Sequence, residues 1–166
     1  MTRAWSSLVL FLILFLLETS FATSLPFPFA LIPLTFSAAI FRLQHRGLSD
    51  GAVWVLAYGL LLQVLPLSAS PLPALSWGAA ALVSLVSARH IFSNRSLLGV
   101  VATGVAGYAA HAVLEATVGF VSSFRGGSAI SLGALSEFHG TRIALFTIML
   151  VILFYLSRTW KRYVQT

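Results

Sequence analysis

The sequence predicts an all-α membrane protein, a bundle of about six transmembrane helices with both termini cytoplasmic. Three observations lead there. Of 166 residues 58% are hydrophobic and only 8% charged, with a mean hydropathy of +0.95; a soluble domain carries about a quarter charged residues. The apolar residues fall into helix-length runs, and about 20 of them cross a hydrocarbon core of roughly 30 Å. The basic residues gather at alternate ends of those runs, as the orientation signal of a polytopic protein does. Six such spans leave short loops and no second domain, so residues 1–166 form a single transmembrane unit.

The first span is expected over 5–21, led by Arg3 and interrupted late by Glu18. A cleavable signal peptide ending near Ala22-Thr23-Ser24 is the alternative, but a signal anchor is normal when further spans follow. Pro26 and Pro28 connect it to a second span over 29–43. Arg42, His45, Arg46 and Asp50 are read as the next loop, and the third span, 51–67, contains Gln63 and ends at Pro66. An uncharged linker leads to a fourth span over 75–88. A basic connection follows, with Ser93 or Asn94 placed to cap the long fifth span, 97–121. Residues 122–140, rich in Gly and Ser, read as the longest loop, and 141–157 close the bundle.

With both termini inside, Arg3, Arg42, Arg46, Arg89, Arg95, Arg158, Lys161 and Arg162 lie on the cytoplasmic side, and only Arg125 and Arg142 lie outside. Trp5, Trp54, Trp160 and Tyr163 fall at the same inner boundary, as an interfacial aromatic belt. The formal charge of +6 is therefore an orientation signal rather than a nucleic-acid surface. The basic clusters at 42–46, 89–95 and 158–162 could also meet anionic lipid or a cytoplasmic protein. All six prolines lie toward the outer side, where freed backbone groups need protein or water partners.

The fifth span is expected to be central. His111 and Glu115 stand four residues apart on one face, continued by Gly107, Thr103 and Gly99. Small residues let a neighbouring helix approach, and ionisable groups in a membrane face the bundle interior. Counting about 1.5 Å per residue from the inner boundary puts Glu18, Gln63, His111 and Glu115 in one layer of the outer half. Arg142, at the outer start of the last span, can reach it. Glu115 is expected to pair with Arg142 or His111; the plainer account is a few interhelical hydrogen bonds, with Glu18 and Glu115 snorkelling outward. A metallohydrolase is disfavoured because the H-E-x-x-H pattern is absent, although Glu137 and His139 add ligand types nearby. Without cysteines there is no thiolate metal site or cysteine nucleophile. No catalytic residue, metal or cofactor is expected.

A first span ending E-T-S-F, a proline-bearing link, G-L-L-L-Q-V-L-P-L-S-A-S-P-L-P at Gly59–Pro73 and the S-N-R-S-L connection together resemble the rod shape-determining protein MreD family, in a divergent, short form. That family usually carries an acid in the third span, followed by glycine; Gln63 and Pro73 stand at those places here. The resemblance implies a non-enzymatic partner of the bacterial cell-elongation and peptidoglycan-synthesis machinery in the inner membrane, binding MreC-like proteins. It also implies a fold similar to the substrate-binding components of energy-coupling-factor vitamin transporters. A small-molecule transporter subunit is thus the alternative function. A transporter should enclose a pocket within the polar layer, and a scaffold should not.

Overall fold

The computed structural model describes residues 2–64, 72–92, 96–124 and 132–164, and every regular element among them is helical. Helix α1 (Thr2–Leu16) continues through a π-helical turn, Leu17–Phe21, and a 3-10 turn, Ala22–Ser24. After an irregular stretch with a second 3-10 turn at Phe29–Leu31 come α2 (Leu34–His45) and α3 (Leu48–Val64). Helix α4 (Leu72–Val86) ends in another π-helical turn, Ser87–Ile91; α5 (Leu97–Phe124) and α6 (Leu132–Val164) follow.

Among the described residues, four helical stretches are long and apolar enough to cross a membrane: Trp5–Ser24, Ala74–Ile91, Leu97–Val121 and Glu137–Thr159. Helix α3 is apolar but shorter, at 17 residues. The expected second span is corrected most. In place of one helix over 29–43 there is a 3-10 turn and then the 12-residue α2, which rises only about 18 Å. Three prolines in eight positions explain the delay: Pro26, Pro28 and Pro33 cannot donate to a helical ladder.

The centre of the bundle is α2, not the fifth span. Helix α2 touches α1, α3, α5 and α6, whereas α4 packs between α3 and α5. The cause lies in its sequence, L-T-F-S-A-A-I-F-R-L-Q-H. Thr35, Ser37, Arg42 and Gln44 point in different directions around the helix, so no single orientation could hide them all from lipid. Enclosure on every side is the solution, and all four are buried. In α5 the buried polar residues, Thr103 and His111, occupy one stripe, so one buried face suffices. Gln44 uses its position between helices, donating to Thr103 Oγ1 at 2.7 Å and to the Phe92 carbonyl at 3.1 Å.

Apolar packing around α2 is largely aromatic. Phe36 stacks on Phe146 with centroids 5.0 Å apart and meets Trp77 edge-on at 5.0 Å. Outward-facing Leu8, Leu12, Leu56, Leu60, Ile148 and Ile152 are exposed, as lipid-facing residues would be. Several helix pairs have glycine where they cross, Gly51, Gly59, Gly104 and Gly107 each lying against a neighbouring helix. A Cβ on Gly51 would lie 2.2 Å from Leu43 Cβ and 2.4 Å from its Cα, and one on Gly107 would lie 1.9 Å from Ser84 Oγ.

The stretch 122–140 is not a long loop: α5 extends to Phe124 and α6 begins at Leu132. Glycine and serine were outweighed there by a helical face, since His139, Arg142, Phe146 and Leu150 recur every three or four residues. The loop expected at 42–50 shrinks to Arg46 and Gly47. Trp54 is no interfacial anchor but is buried. Ser96 caps α5 by accepting from the Gly99 N–H at 3.1 Å; the expected caps, Ser93 and Asn94, lie outside the described residues, as do Pro66, Arg95 and Arg125. Ser7 meets Asp50 while Phe154 meets His45, so the first and last helices both approach the end of the bundle where α2 finishes.

Candidate functional site

At the opposite end, the α2 N-terminus organises a buried polar layer. The first N–H groups of a helix have no partner within it and carry the positive end of its dipole. Glu18 answers them: its Oε2 accepts from the Thr35 N–H at 2.7 Å. The side chain reaches that point from the π-helical turn that follows α1, where the widened backbone carries Glu18 into the bundle rather than out to lipid. Its other oxygen, Oε1, accepts from the Tyr58 hydroxyl at 2.5 Å. The Glu18 carboxyl is therefore buried and bonded on both oxygens, and the snorkelling account does not hold for it.

Tyr58 passes the contact on. Its oxygen accepts from Arg142 Nη2 at 3.3 Å, and the guanidinium also lies beside the Tyr108 hydroxyl. Tyr108 in turn meets His139 Nδ1 at 3.1 Å. Glu115 lies between two imidazoles, its Oε2 being 3.3 Å from His111 Nε2 and 3.6 Å from His139 Nε2. Trp77 of α4 lies flat on His111, with ring centroids 4.1 Å apart and planes at 20°. Side chains from α3, α4, α5 and α6, the N–H of α2 and the π turn after α1 thus meet in one layer.

Of the residues expected there, Glu18, His111, Glu115 and Arg142 are brought together, with Glu18 and Arg142 joined through Tyr58. Gln63 is not: it stands half-buried five positions past Tyr58 and bonds to none of these groups. Glu115 has His111 as its near partner rather than Arg142, and its side chain keeps 44% exposure while that of His111 is buried. Three buried nitrogens have no hydrogen-bond partner among the described residues: His111 Nδ1, His139 Nε2 and Arg142 Nε. Among those residues no group of three or more His, Cys, Asp or Glu side chains is arranged to hold a metal ion.

Sequence reasoning missed Tyr58, Tyr108, Trp77 and the inward place of His139. It also missed a second polar knot at the other end of α2. There Arg42 is buried and pairs with Asp50, donating to Oδ2 from Nε at 3.0 Å and also from Nη2. Ser7 sits at the centre of this knot. It accepts from Arg42 Nη2 at 2.9 Å and Trp54 Nε1 at 3.1 Å, and donates to Asp50 Oδ1 at 3.3 Å. The Arg42 guanidinium lies 4.4 Å from the Trp54 ring centroid. The available signal was the i to i+8 spacing of Arg42 and Asp50 across a very short turn, which places them on adjoining helices.

Among its described residues the chain is thus all helical, with four membrane-length apolar helices and polar contacts at both ends of a buried central helix. It matches no protein-family model, no curated protein and no solved structure.

Proposed function

We propose that the protein is a non-enzymatic scaffold of the bacterial cell envelope, similar to the MreD family, that works within the rod-shape and peptidoglycan-synthesis machinery. It sits in the inner membrane as a six-helix unit with both termini cytoplasmic and binds MreC-like membrane proteins there. One observation carries the reading: the polar layer is joined from one side to the other by its own side chains. Glu18, Tyr58, Arg142, Tyr108, His139 and Glu115 form one run of contacts, and Trp77, Tyr58 and Tyr108 beside them are buried. Such a layer fixes the relative positions of helices, which suits a part whose role is to present a rigid surface to partners. The short inner connections and the eight-to-two distribution of basic residues support the orientation. The motifs at 59–73 and around Ser96 support the family likeness.

A second reading, the substrate-binding subunit of a small-molecule transporter, is favoured by His111 Nδ1 and Arg142 Nε, which are buried with no hydrogen-bond partner among the described residues. Polar atoms of this kind are what a ligand would satisfy. Deleting the gene in its bacterial host separates the two. The scaffold reading expects altered cell width or envelope growth with vitamin uptake unchanged, and recovery of MreC-like protein with the tagged chain in mild detergent. Normal morphology with a defect in uptake of one small molecule would overturn it in favour of the transporter.

A further inference from the structure

A cleft of about 970 Å³ opens between α1 and α3, beside the Ser7–Arg42–Asp50 knot. That volume stands at the upper end of the range for small-ligand sites, about 300–1,000 Å³. Its chemistry is divided along its length. Ser7, Arg42, Arg46 and Asp50 line one end, while Phe11, Val53 and Ala57 line the rest. Asp50 to Ala57 is seven residues of helix, so polar floor gives way to apolar wall over about 10 Å.

The cleft exists because α1 reaches α3 only with long side chains. Phe11 meets Trp54 edge-on at 5.2 Å and Phe15 meets Tyr58 at 6.1 Å, leaving the shorter residues between them apart. The polar end is built before any ligand arrives. Arg42, whose side chain is only 9% exposed, is held by both Asp50 and Ser7, and Trp54 is tied to Ser7. Asp50 balances Arg42. Arg46, exposed at the mouth, has no ion pair among the described residues and leaves the polar end with one positive charge in excess.

We propose that this cleft binds an anionic phospholipid of the surrounding bilayer, its phosphate at Arg46 over the Arg42–Ser7 floor and an acyl chain along Phe11, Val53 and Ala57. The occupant is read from the lining. An unbalanced cation beside bonded polar groups suits a phosphate, and the adjoining apolar wall suits a hydrocarbon tail. A free phosphate would leave the apolar part of the cleft empty, and an uncharged lipid would leave Arg46 without a counter-charge. The inference goes beyond the scaffold reading and requires only that the helices lie in a bilayer.

The test uses the full chain, delipidated in detergent and titrated with phosphatidylglycerol, phosphatidylcholine or inorganic phosphate while thermal unfolding is followed. Phosphatidylglycerol is expected to raise the unfolding temperature at about fivefold lower concentration than phosphatidylcholine, the weight of one basic residue at an anionic headgroup. Inorganic phosphate at the same concentrations should do nothing. Arg46→Ala, at an exposed position, should erase the preference between the two lipids. Ala57→Trp should fill the apolar arm and weaken both. Native mass spectrometry of protein taken from membranes should find a retained anionic lipid that Arg46→Ala loses. Equal stabilisation by both lipids, a full effect of inorganic phosphate, a preference unchanged in Arg46→Ala, or a second protein chain retained in place of lipid would each overturn the proposal.

Discussion

Tyr58 joins the two sides of the polar layer through a single oxygen, donating to Glu18 and accepting from Arg142. Removing that oxygen leaves the ring packed against Phe15 and Trp77 but deprives Glu18 Oε1 and Arg142 Nη2 of a partner. Tyr58→Phe should therefore destabilise the protein by about 1–2 kcal/mol, the upper range for interhelical hydrogen bonds within membranes. In Glu18→Gln the same change should cost less, because the carboxyl it would strand is gone. Reversible unfolding of the two single variants and the double variant measures this; strictly additive losses would mean that the hydroxyl and the carboxyl do not interact. Glu18, His111, Glu115 and Arg142 were legible in the sequence because an ionisable residue inside an apolar run must turn inward or reach an interface. Tyr58, Tyr108 and Trp77 were not, since an aromatic ring suits a lipid boundary and a protein core equally well. His139 was hidden by its neighbours, whose glycine and serine suggested a loop.

Where two helices cross at a glycine, their separation is set by what the missing side chain would strike. At Gly51 that is the backbone of α2, through Leu43 Cα, and backbone cannot rotate aside as a side chain can. Gly51→Ala should push α2 and α3 apart at a cost of about 1–3 kcal/mol. Gly140 also lies in a helix, but a Cβ there would have nothing within 4 Å. Gly140→Ala should accordingly stabilise α6 by about 0.5–1 kcal/mol, through reduced freedom of the unfolded chain. Chemical denaturation of both variants in one detergent would read the opposite signs, and a loss in both would refute the packing argument. The long helices were legible because their composition matches lipid over a full membrane thickness. Helix α2 was only partly so, because proline fixes where a helix cannot begin while burial on all sides depends on what its neighbours supply. The Arg42–Asp50 pair shows the same limit from the other direction: charges at the end of a span look like loop residues until the turn between the helices is known to be two residues long.

At the scale of the molecule, α2 is enclosed by α1, α3, α5 and α6 and fastened at both ends, by Glu18 at its start and by Asp50 and Ser7 near its finish. The fastening has a consequence for biogenesis. Twelve residues that include an arginine and a glutamine make a poor substrate for partitioning from a translocation channel into lipid, where polar side chains and freed backbone groups lack partners. The segment should enter the bilayer only in company, once the turn after α1 has supplied Glu18 and α3 has supplied Asp50. Residues 29–47 placed between two soluble reporters should therefore fail to insert, while residues 2–64 should insert as a unit. In that longer chain a cysteine at Ser49 should be shielded from an impermeant thiol reagent in intact cells, and one at Ser24 should be labelled. Independent insertion of 29–47 would contradict this order of events. Synthesis of the protein should then include an interval in which its most central helix waits, uncommitted, for the chain that follows it.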